Sequence, residues 1–560
     1  MKEGIRVHGE VVPAIPEISC AKQTLRNGSS SPAAVANLTM NYPRSITRVF
    51  LVTAVGMLAA SADVVLNPIF GDHMVLQREK PLPVWGTASP NERITVTFNG
   101  FVERATADAA GKWMVRLPAQ KLSKVPAVLS VKGNNEITLS DILVGDVWLG
   151  TGQSNMDWVV SGTDGKEAVQ KSMPGQYDGI RLFKVGEAVA DEPLREVKGA
   201  WTEARKETVM GFSATLFFFG ESLKLRQPDV PLGLIRSSLG ATNAFSWIPN
   251  EVRDTDGSTA YLREWWGNAT KGWTPEKQEE RDKQSAAYEE QVAAYRARKE
   301  STDSLKKPGE LMGPRYSRRP SGLYNGMIAP LHPVALRGVI WYQGEWDSKK
   351  DWVKVYRGTL AALAKSWRSN WAKAAGDPAL GDFPFYLVQL PSRISGDGDY
   401  WPFMREIQQQ LATDIPNSGF VTTFDLNDGK ELHPVEKVQI GKRLANLALA
   451  REYGQKVAYH GPLYRELRVV GDHLVLRFDI GADTLKSTDG EPLRNFEIAG
   501  ADGVYHPATV KLNGDLVEVS SAAVPKPATV RYGWMPTPER PNFVNSADLP
   551  ASPFRTDPVP

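Results

Sequence analysis

Ser154 is a candidate nucleophile. It lies in the segment Gly152-Gln153-Ser154-Asn155, shortly after the apolar run Ile142–Leu149, which is typical of a buried strand. A serine at a turn from a strand into a helix is exposed, and backbone N–H groups there can point at a developing oxyanion. Serine and asparagine are also good helix N-caps, so the segment alone fits a capping turn equally well. Other parts of the chain must decide between nucleophile and cap.

Two other segments could donate hydrogen bonds to that oxyanion. Gly240 follows the run Leu232–Arg236, and a glycine lets the backbone come close enough for its N–H group to donate. Gln343 follows the run Val334–Trp341 and could donate through its side-chain amide. An ordinary turn glycine and a polar loop residue are the alternatives. Because both residues follow strand-like runs, as Ser154 does, a shared site is favoured.

His433 is the candidate base, because a hydrolytic serine needs a base and imidazole has a suitable proton affinity. Five of the seven histidines follow Ser154 in the chain: His332, His433, His460, His473 and His506. Of these, only His433 lies after a strand-like run, before a helix-like one and beside carboxylates. This placement favours catalysis over a structural role.

The elements that would position these residues are short apolar strands alternating with helix-like stretches over residues 141–455. This alternation predicts an α/β core, in which a parallel sheet lies between helices and the chemistry lies in loops at the carboxyl ends of the strands. The predicted strands are Ile142–Leu149, Leu232–Arg236, Val334–Trp341, Phe385–Leu390 and Phe420–Phe424. A helical insertion at about 250–320 interrupts the core, and it could be solvated decoration or a lid.

Residues 63–140 and 456–560 are predicted β regions. Short alternating runs are separated there by glycine and proline, as in a sandwich or jelly roll. Asn513-Gly514, between two apolar runs, is a strong hairpin signal. The two regions flank the core in sequence and could pack together in space.

Residues 1–62 have the features of a leader that ends in a secretory signal sequence. Two arginines precede the apolar run Val49–Leu58, and the Ala-Ser-Ala at 60–62 fits a signal-peptidase site. The run is short for a transmembrane helix, although an uncleaved anchor is the alternative. We expect Met40 to be the natural start and the mature chain to be periplasmic or secreted, with no stable membrane partner after cleavage.

The composition limits the number of domains, the kinds of partner and the kinds of chemistry that fit this chain. The chain of 560 residues is too long for one ordinary core, so two or more domains are expected. A net charge of +2 gives no sign of a nucleic-acid partner. Cys20, the only cysteine, lies in the leader, so the mature chain would have no disulfide and no thiol nucleophile. The 16 Trp and 16 Tyr are compatible with a glycan partner, although core packing explains most such residues.

Four segments together resemble the SGNH-hydrolase superfamily, and within it the branch of sialate O-acetylesterases and related carbohydrate acetylesterases. They are Gly-Gln-Ser-Asn-Met at 152–156, Ser-Leu-Gly-Ala-Thr at 238–242, Trp-Tyr-Gln-Gly-Glu at 341–345 and His-Pro at 433–434. The likeness covers roughly residues 65–450. It implies a flavodoxin-like α/β core with an accessory β-sandwich or jelly-roll-like domain, and it implies no metal and no cofactor.

The resemblance also implies roles at the matching positions. Ser154 would be the nucleophile and His433 the base. The backbone N–H groups of Ser154 and Gly240 and the amide of Gln343 would form the oxyanion hole. The expected substrate-binding residues are Gln153, Asn155 and Trp346.

Three positions depart from the family pattern. Ala241 replaces the usual second glycine of a Gly-Gly-Thr block. Trp346 stands where serine is usual, and it could reshape the acyl or sugar pocket. The pattern Asp-x-x-His would place an acid at 430, which is Lys430. The related branch often has Asp two residues before the histidine, and that position is Glu431 here. Glu431 is therefore the predicted orienting carboxylate, and Asp428 or no acid at all are the alternatives.

The implied activity is that of a serine esterase that removes O-acetyl groups from a carbohydrate through an acetyl-enzyme intermediate. Acetylated sialic acid and plant cell-wall polysaccharides or oligosaccharides such as xylan and xyloglucan are candidate substrates. Tryptophans in loops expected to border the site favour a polysaccharide or oligosaccharide: Trp247, Trp265, Trp266, Trp273 and Trp346. A lipase or thioesterase on the same scaffold and a non-catalytic glycan-binding protein are the alternatives.

Overall fold

The structure is a computed structural model, and it describes residues 63–298, 301–302, 304–393 and 400–558. The expected leader and signal sequence, with Cys20, therefore lies outside the described residues. The first strands are β1 (Val65–Leu66), β2 (Val75–Gln77), β3 (Leu82–Thr87), β4 (Arg93–Phe98), β5 (Phe101–Thr106), β6 (Lys112–Leu117) and β7 (Ser123–Lys132). In β4, Ile94, Val96 and Phe98 are buried while the residues between them are more exposed, which is the two-residue period of a half-buried strand.

The long strand β8 (Glu136–Gly152) joins the N-terminal β region to the α/β layer. Its first part pairs with β2 and β7. Its second part continues into the layer as a central strand. The expected boundary at residue 140 therefore lies inside one continuous strand, and no loop separates the two regions there.

The α/β layer is built on a mostly parallel sheet. Its further strands are β9 (Ile180–Lys184), β10 (Trp201–Glu203), β11 (Leu232–Ser238), β12 (Gly338–Tyr342), β13 (Phe385–Val388) and β14 (Ser418–Val421). They lie in the order β10-β9-β11-β8-β12-β13-β14, and along this path β10 is antiparallel to its neighbour while the others are parallel. Counted along the chain, the parallel strands stand in the order 2-3-1-4-5-6. Without β9, the contiguous strands β11-β8-β12-β13-β14 stand in the order 2-1-3-4-5, which is that of flavodoxin, so the implied strand order is observed with one parallel strand added outside β11.

Helices cover both faces of this sheet. The helices of the described part are α1 (Ser154–Asp157), α2 (Lys166–Gln170), α3 (Lys206–Val209), α4 (Ala214–Arg226), α5 (Asn250–Thr255), α6 (Ala260–Thr270), α7 (Pro275–Ala297), α8 (Lys350–Ala375), α9 (Trp401–Asp414) and α10 (Lys437–Arg451). Helices α8 and α9 share an apolar cluster with Leu149 and Val339, whereas α4 and α10 share another with Trp148 and Ile340. Successive strand residues thus point to opposite faces, as in a sheet buried on both sides.

The insertion after β11 contains α5, α6 and α7. Helix α7 begins as predicted, because the Thr274 side chain accepts a hydrogen bond from the Lys277 N–H group at 3.3 Å and Pro275 opens the first turn. Among the residues that the structure describes, no helix combines the length and the apolarity needed to cross a membrane.

The C-terminal region is again β structure. Its strands are β15 (Leu463–Val470), β16 (His473–Asp479), β17 (Leu485–Ser487), β18 (Phe496–Ala499), β19 (His506–Pro507), β20 (Thr509–Asn513), β21 (Leu516–Ser520), β22 (Thr529–Tyr532), β23 (Phe543–Asn545) and β24 (Phe554–Arg555). Strands β20 and β21 form the predicted hairpin, with Gly514 at a φ of +60° in the turn. The apolar side chains of this region form a cluster that includes Phe424, and Arg555 pairs with Glu406 of α9 at 3.1 Å. These contacts dock the region on the α/β layer.

Candidate active site

Ser154 lies where β8 ends and α1 begins. Gly152, the last residue of β8, has a φ of +127°, and a Cβ atom there would lie 2.2 Å from the carbonyl oxygen of Tyr342. Glycine alone fits this close approach of β8 to β12. The turn therefore opens directly at the carboxyl end of a central strand, and it leaves Ser154 partly exposed.

Gly240 faces Ser154. The Leu239 N–H group donates to the Gly152 carbonyl at 3.2 Å, which brings the turn after β11 against the turn after β8. A Cβ atom built on Gly240 would lie 3.5 Å from the Cβ atom of Ser154. The next residue, Ala241, has a φ of +55°, in the left-handed region that favours glycine. The backbone of Gly240 is thus open towards the nucleophile, where an oxyanion would need donors.

Two contacts bring His433 to the same place. The side-chain amide of Asn155 donates to the carbonyl oxygen of Leu432 at 3.2 Å. The imidazole ring of His433 stacks on Trp158, with ring centroids 4.2 Å apart and planes inclined by 15°. Asn155 follows Ser154 in α1, and Trp158 ends that helix. The serine and the histidine are therefore carried by elements in direct contact.

The imidazole of His433 is neutral over most of the pH range. Burial, followed by the positive charges of Lys437 and Arg393, lowers the pKa of His433 to about 4. Its Nε2 atom is buried and has no hydrogen-bond partner among the described residues. A neutral imidazole with a free nitrogen is the state in which a general base can accept a proton.

The structure does not bring the carboxylate of Glu431, the predicted acid, to the imidazole of His433. Glu431 is exposed, and its backbone carbonyl, not its carboxylate, accepts a hydrogen bond from Asn427. Asp428 is exposed as well and forms an ion pair with Lys430 at 2.7 Å. Both carboxylates are solvated, and within the described part of the chain neither bonds to the imidazole. The structure favours the alternative in which the histidine acts without an acid.

Gln343 is fully buried, and its amide is bonded within the protein. Its Nε2 atom donates to Gln153 Oε1 at 3.2 Å, to the Thr242 carbonyl at 3.1 Å and to the carboxylate of Asp347. An amide nitrogen carries two N–H bonds, so these acceptors use all its donors. The side chain of Gln343 ties the loop after β12 to the loops that hold Gln153 and Thr242, and its contact with an oxyanion stays a prediction.

Gln153 and Asn155 are both buried, and their role as substrate ligands stays a prediction. Gln153 is 2% exposed and Asn155 is 0% exposed. Trp346, the other predicted substrate contact, is partly exposed, and its backbone N–H group donates to Gln153 Oε1 at 3.4 Å. The Lys349 ammonium lies 4.4 Å from the Trp346 ring centroid. Trp346 thus lies at the rim of the site.

The remaining tryptophans divide between core and surface. Trp247 is fully buried and belongs to the core, so it is not available to a glycan. Trp266 of α6 is partly buried, and its ring stacks on Tyr316 at 6.0 Å. Tyr316 lies two residues before Arg318, whose Nε atom donates to the Gly240 carbonyl at 3.4 Å. These contacts bring the helical insertion close to the Gly240 turn.

Two buried charges beside the site were not predicted. Glu345 is 9% exposed, and its Oε1 atom accepts a hydrogen bond from Asn155 at 2.6 Å. Lys437 is 0% exposed and donates to the Oδ1 atom of Asn155 at 2.6 Å. Burial raises the pKa of Glu345 and lowers the pKa of Lys437 to about 7. The available signal was position, since Glu345 closes the Trp-Tyr-Gln-Gly-Glu segment and Lys437 lies four residues after His433.

One group of metal-ligating side chains among the described residues lies elsewhere. His73, Asp141 and Glu203 hold their ligand atoms within 4.8 Å of one another. Arg181 contacts Asp141 at 2.8 Å and Glu203 at 3.2 Å, and Arg205 also pairs with Glu203, so both carboxylates already have cationic partners. An ion-pair network explains this group. A cavity of about 850 Å³ beside Trp85 contains none of the predicted site residues.

Comparison with known proteins shows the family of this chain. Residues 308–450 match the family model described as carbohydrate esterase, sialic acid-specific acetylesterase. The crystal structure of a carbohydrate acetylesterase from Xanthomonas citri is 32% identical, with a TM-score of 0.72, and the match covers 88% of this chain and 99% of that one. The chain belongs to the carbohydrate acetylesterases.

This carbohydrate acetylesterase also has mammalian relatives. The sialate O-acetylesterase of Mus musculus is 28% identical over 86% of this chain and 92% of its own length. That of Homo sapiens is 28% identical over 71% of this chain and 73% of its own length. The resemblance and the enzyme class, a carbohydrate O-acetylesterase, are confirmed. The family model includes Gln343 and His433 but begins after Ser154 and Gly240, so the roles of individual residues depend on the geometry.

Proposed function

We propose that this carbohydrate acetylesterase hydrolyses acetyl esters with a Ser154–His433 dyad on an SGNH-hydrolase core. The observation that carries the proposal is the contact of α1 with the histidine loop, through the stack of Trp158 on His433 and the amide of Asn155. This contact joins a partly exposed serine to a neutral imidazole, and the backbone of Gly240 lies beside the serine. A nucleophile, a base and an oxyanion donor are what acyl transfer requires.

The reaction has two acyl-transfer steps. The Oγ atom of Ser154 attacks the acetyl carbonyl carbon while His433 accepts the serine proton, and the carbonyl oxygen becomes an oxyanion. The N–H groups of Ser154 and Gly240 donate to that oxyanion, and each such donor contributes about 3 kcal/mol in the transition state. The C–O bond to the sugar then breaks, and His433 returns the proton to the sugar oxygen. Water, deprotonated by the same imidazole, attacks the acetyl-serine; the bond from the acetyl carbon to the serine oxygen breaks, the imidazolium returns its proton to that oxygen, and acetate leaves.

Trp158 performs part of the role that the acid has in a Ser-His-Asp triad, because it both stabilises and orients the histidine. In each step His433 becomes an imidazolium, and the positive charges of Lys437 and Arg393 oppose this change. The stacked indole presents its electron-rich face to the ring, which stabilises a cation by about 0.5–1 kcal/mol or more. It also fixes the plane of the imidazole, so the nitrogen stays directed at its partner.

The proposed substrate is an acetylated plant cell-wall polysaccharide or oligosaccharide, such as xylan or xyloglucan. Trp346 at the rim and Trp266 in the insertion support this, because an extended glycan could pack its sugar faces on such rings. Acetylated sialic acid is the second candidate, favoured by the names of the mouse and human relatives. We further propose a periplasmic or secreted location, after cleavage of a signal sequence at about residues 40–62.

The dyad is tested by Ser154→Ala. The variant removes one hydroxyl at a partly exposed position, so it should fold normally and lose about 10,000-fold or more of the kcat for 4-nitrophenyl acetate. Unfolding by heat, followed by circular dichroism, checks the fold. Activity retained at the wild-type level would reject Ser154 as the nucleophile.

The substrate is tested by acetate release from acetylated xylan, acetylated xyloglucan and O-acetylated sialic acid. We expect the highest kcat/KM on a polymer, and we expect Trp346→Ala to lower it without changing hydrolysis of 4-nitrophenyl acetate. The small ester serves as the matched control, because it does not reach the rim. A higher kcat/KM on free acetylated sialic acid would favour the second candidate.

A further inference from the structure

Asn155 is held by three hydrogen bonds inside the protein. Its Nδ2 atom donates to Glu345 Oε1 at 2.6 Å and to the Leu432 carbonyl at 3.2 Å, and its Oδ1 atom accepts from the Lys437 ammonium at 2.6 Å. An amide has two N–H donors and one acceptor oxygen, so both donors are used. Since Asn155 and Lys437 are 0% exposed, water cannot replace these bonds.

The partners of Asn155 belong to different elements of the site. Glu345 lies in the loop after β12, Leu432 lies in the histidine loop, and Lys437 opens α10. The backbone carbonyl of Asn155 also accepts a hydrogen bond from Thr215 of α4 at 3.1 Å. One side chain thus connects the nucleophile helix to three separate parts of the fold, and its backbone connects it to a fourth.

The two charges at the ends of this bridge are poor stabilisers. Among the described residues Lys437 and Glu345 form no direct ion pair, and the second carboxylate oxygen of Glu345 has no partner. The Lys437 ammonium lies 5.0 Å from the ring centroid of Tyr342, which replaces little of its lost hydration. Apolar side chains of similar volume are usually at least as stable as such a buried pair. Stability alone therefore does not explain why these charges are here.

We propose that the Lys437–Asn155–Glu345 bridge is a positioning device, which holds α1, and with it Ser154, in alignment with His433. The inference rests on the proposed roles of that serine and that histidine. Proton transfer needs atoms within hydrogen-bond reach, and no described carboxylate orients the imidazole. Alignment must come from the contact between the two elements, and the bridge is the hydrogen-bonded part of that contact.

The test is steady-state hydrolysis of 4-nitrophenyl acetate by variants of the bridge. Asn155→Ala breaks every side-chain bond at once, and we expect kcat to fall about 10- to 100-fold with KM nearly unchanged, because misplacement by about 1 Å has effects of that size. Glu345→Ala should lower kcat in the same way. Glu345→Gln should keep most of kcat, because its side-chain oxygen can still accept the hydrogen bond from Asn155.

Gln77→Leu is the matched control, because Gln77 is another buried amide that donates to a buried carboxylate, on Asp146. It should lower the melting temperature and leave kcat unchanged. A kcat for Asn155→Ala within threefold of wild type would overturn the inference, as would equal losses for Glu345→Ala and Glu345→Gln. If Asn155→Ala does not fold, the two Glu345 variants decide. A fully active Ser154→Ala would instead reject the proposed function itself, so the two failures are distinguishable.

Discussion

Buried charges at the two ends of the parallel strands of the α/β layer are bonded in opposite ways. Near the amino end of the α/β layer, the Asp146 carboxylate accepts four hydrogen bonds at 3.0 Å, two from Arg78 and one each from Gln77 and the Tyr453 hydroxyl. At the carboxyl end, the Glu345 carboxylate accepts one side-chain hydrogen bond at 2.6 Å, and its second oxygen has none. Both carboxylates are buried, so their different numbers of bonds call for an explanation.

The contrast separates stability from reactivity. A buried carboxylate with all its hydrogen bonds made is compatible with a rigid scaffold. Polar atoms without partners destabilise the folded state, and they persist mainly where function needs them. Such atoms at the carboxyl end include Thr151 Oγ1, Tyr342 Oη, Gln343 Oε1, Glu345 Oε2, Trp346 Nε1, His433 Nε2 and Glu436 Oε2, and Arg337 Nε is one near the amino end. We therefore expect substitutions around Asp146 to change stability and substitutions around Glu345 to change catalysis.

The largest effect is expected for His433→Ala. Without the base, the kcat for 4-nitrophenyl acetate should fall about 10,000-fold or more, while the melting temperature changes little. The matched controls are Glu431→Gln and Asp428→Asn, which should keep kcat within about threefold of wild type because both carboxylates are solvated. A loss for Glu431→Gln as large as that for His433→Ala would identify Glu431 as the orienting acid after all.

The opposite result is expected for Arg78→Met at the amino end. The variant leaves the Asp146 carboxylate buried without its main partner, and it should lower the free energy of unfolding by about 3–5 kcal/mol. The kcat of the folded enzyme should stay at the wild-type value. Urea unfolding followed by tryptophan fluorescence, with kinetics measured well below the transition, checks both parts. A kcat that falls together with stability would remove the distinction between the two ends.

Site residues that follow a local sequence pattern could be predicted from the sequence, whereas contacts between distant segments could not. Ser154, Gly240 and His433 could be found because each follows a strand-like run, and parallel strands bring their carboxyl ends together. The bond from Asn155 to Leu432 joins residues 277 positions apart, and no local pattern encodes it. The sequence predicts Asn155, an amide beside the nucleophile, as a substrate ligand, and only the folded structure shows that its side chain is buried among protein partners.

The position of strand β9 and the solvent exposure of Glu431 are two further features that local sequence patterns do not predict. The α/β class follows from alternating runs, but the position of β9 outside β11 is decided by packing between distant segments. Glu431 stands two residues before His433, which fits the family pattern of an orienting acid. The conformation of the loop turns its carboxylate to solvent, because an unpaired charge is more stable there than inside the protein.

The acidic limb of the pH profile should show the environment of His433. Because burial and the charges of Lys437 and Arg393 lower its pKa to about 4 from 6.5, the base stays neutral on acidification until the pH approaches 4. Activity should therefore be lost as the pH falls through about 4, and kcat/KM for a neutral acetyl ester, measured from pH 3 to 8, locates the midpoint. Arg393→Gln removes one cation and should move the midpoint upward. A wild-type midpoint at 6.5 or above would contradict the described surroundings of the imidazole.

Trp158→Leu should have a smaller effect at the reactive end. Losing the stacked ring removes about 0.5–1.5 kcal/mol of aromatic interaction, which corresponds to a fall in kcat of roughly 3- to 10-fold. Trp158→Phe is the control, because it keeps an aromatic face for His433 but loses the indole hydrogen bond to the Gly162 carbonyl. It should keep more of kcat than the leucine variant does. Equal losses in the two variants would assign the effect to that hydrogen bond.

The smallest effect is expected for Ala241→Gly, beside the oxyanion turn. Ala241 has a φ of +55°, where a side chain costs roughly 1–2 kcal/mol that glycine avoids. Glycine also gives the unfolded chain more freedom, so the net gain in stability should be about 0.5–1 kcal/mol. Ala287→Gly on the exposed face of α7 is the matched control and should be destabilising by a similar amount. If Ala241→Gly raises the urea midpoint and leaves kcat unchanged, the strain at this turn is a property of the alanine alone. If kcat falls instead, the strained backbone helps to hold the N–H group of Gly240 in place, and even the backbone at this end of β8 would serve catalysis.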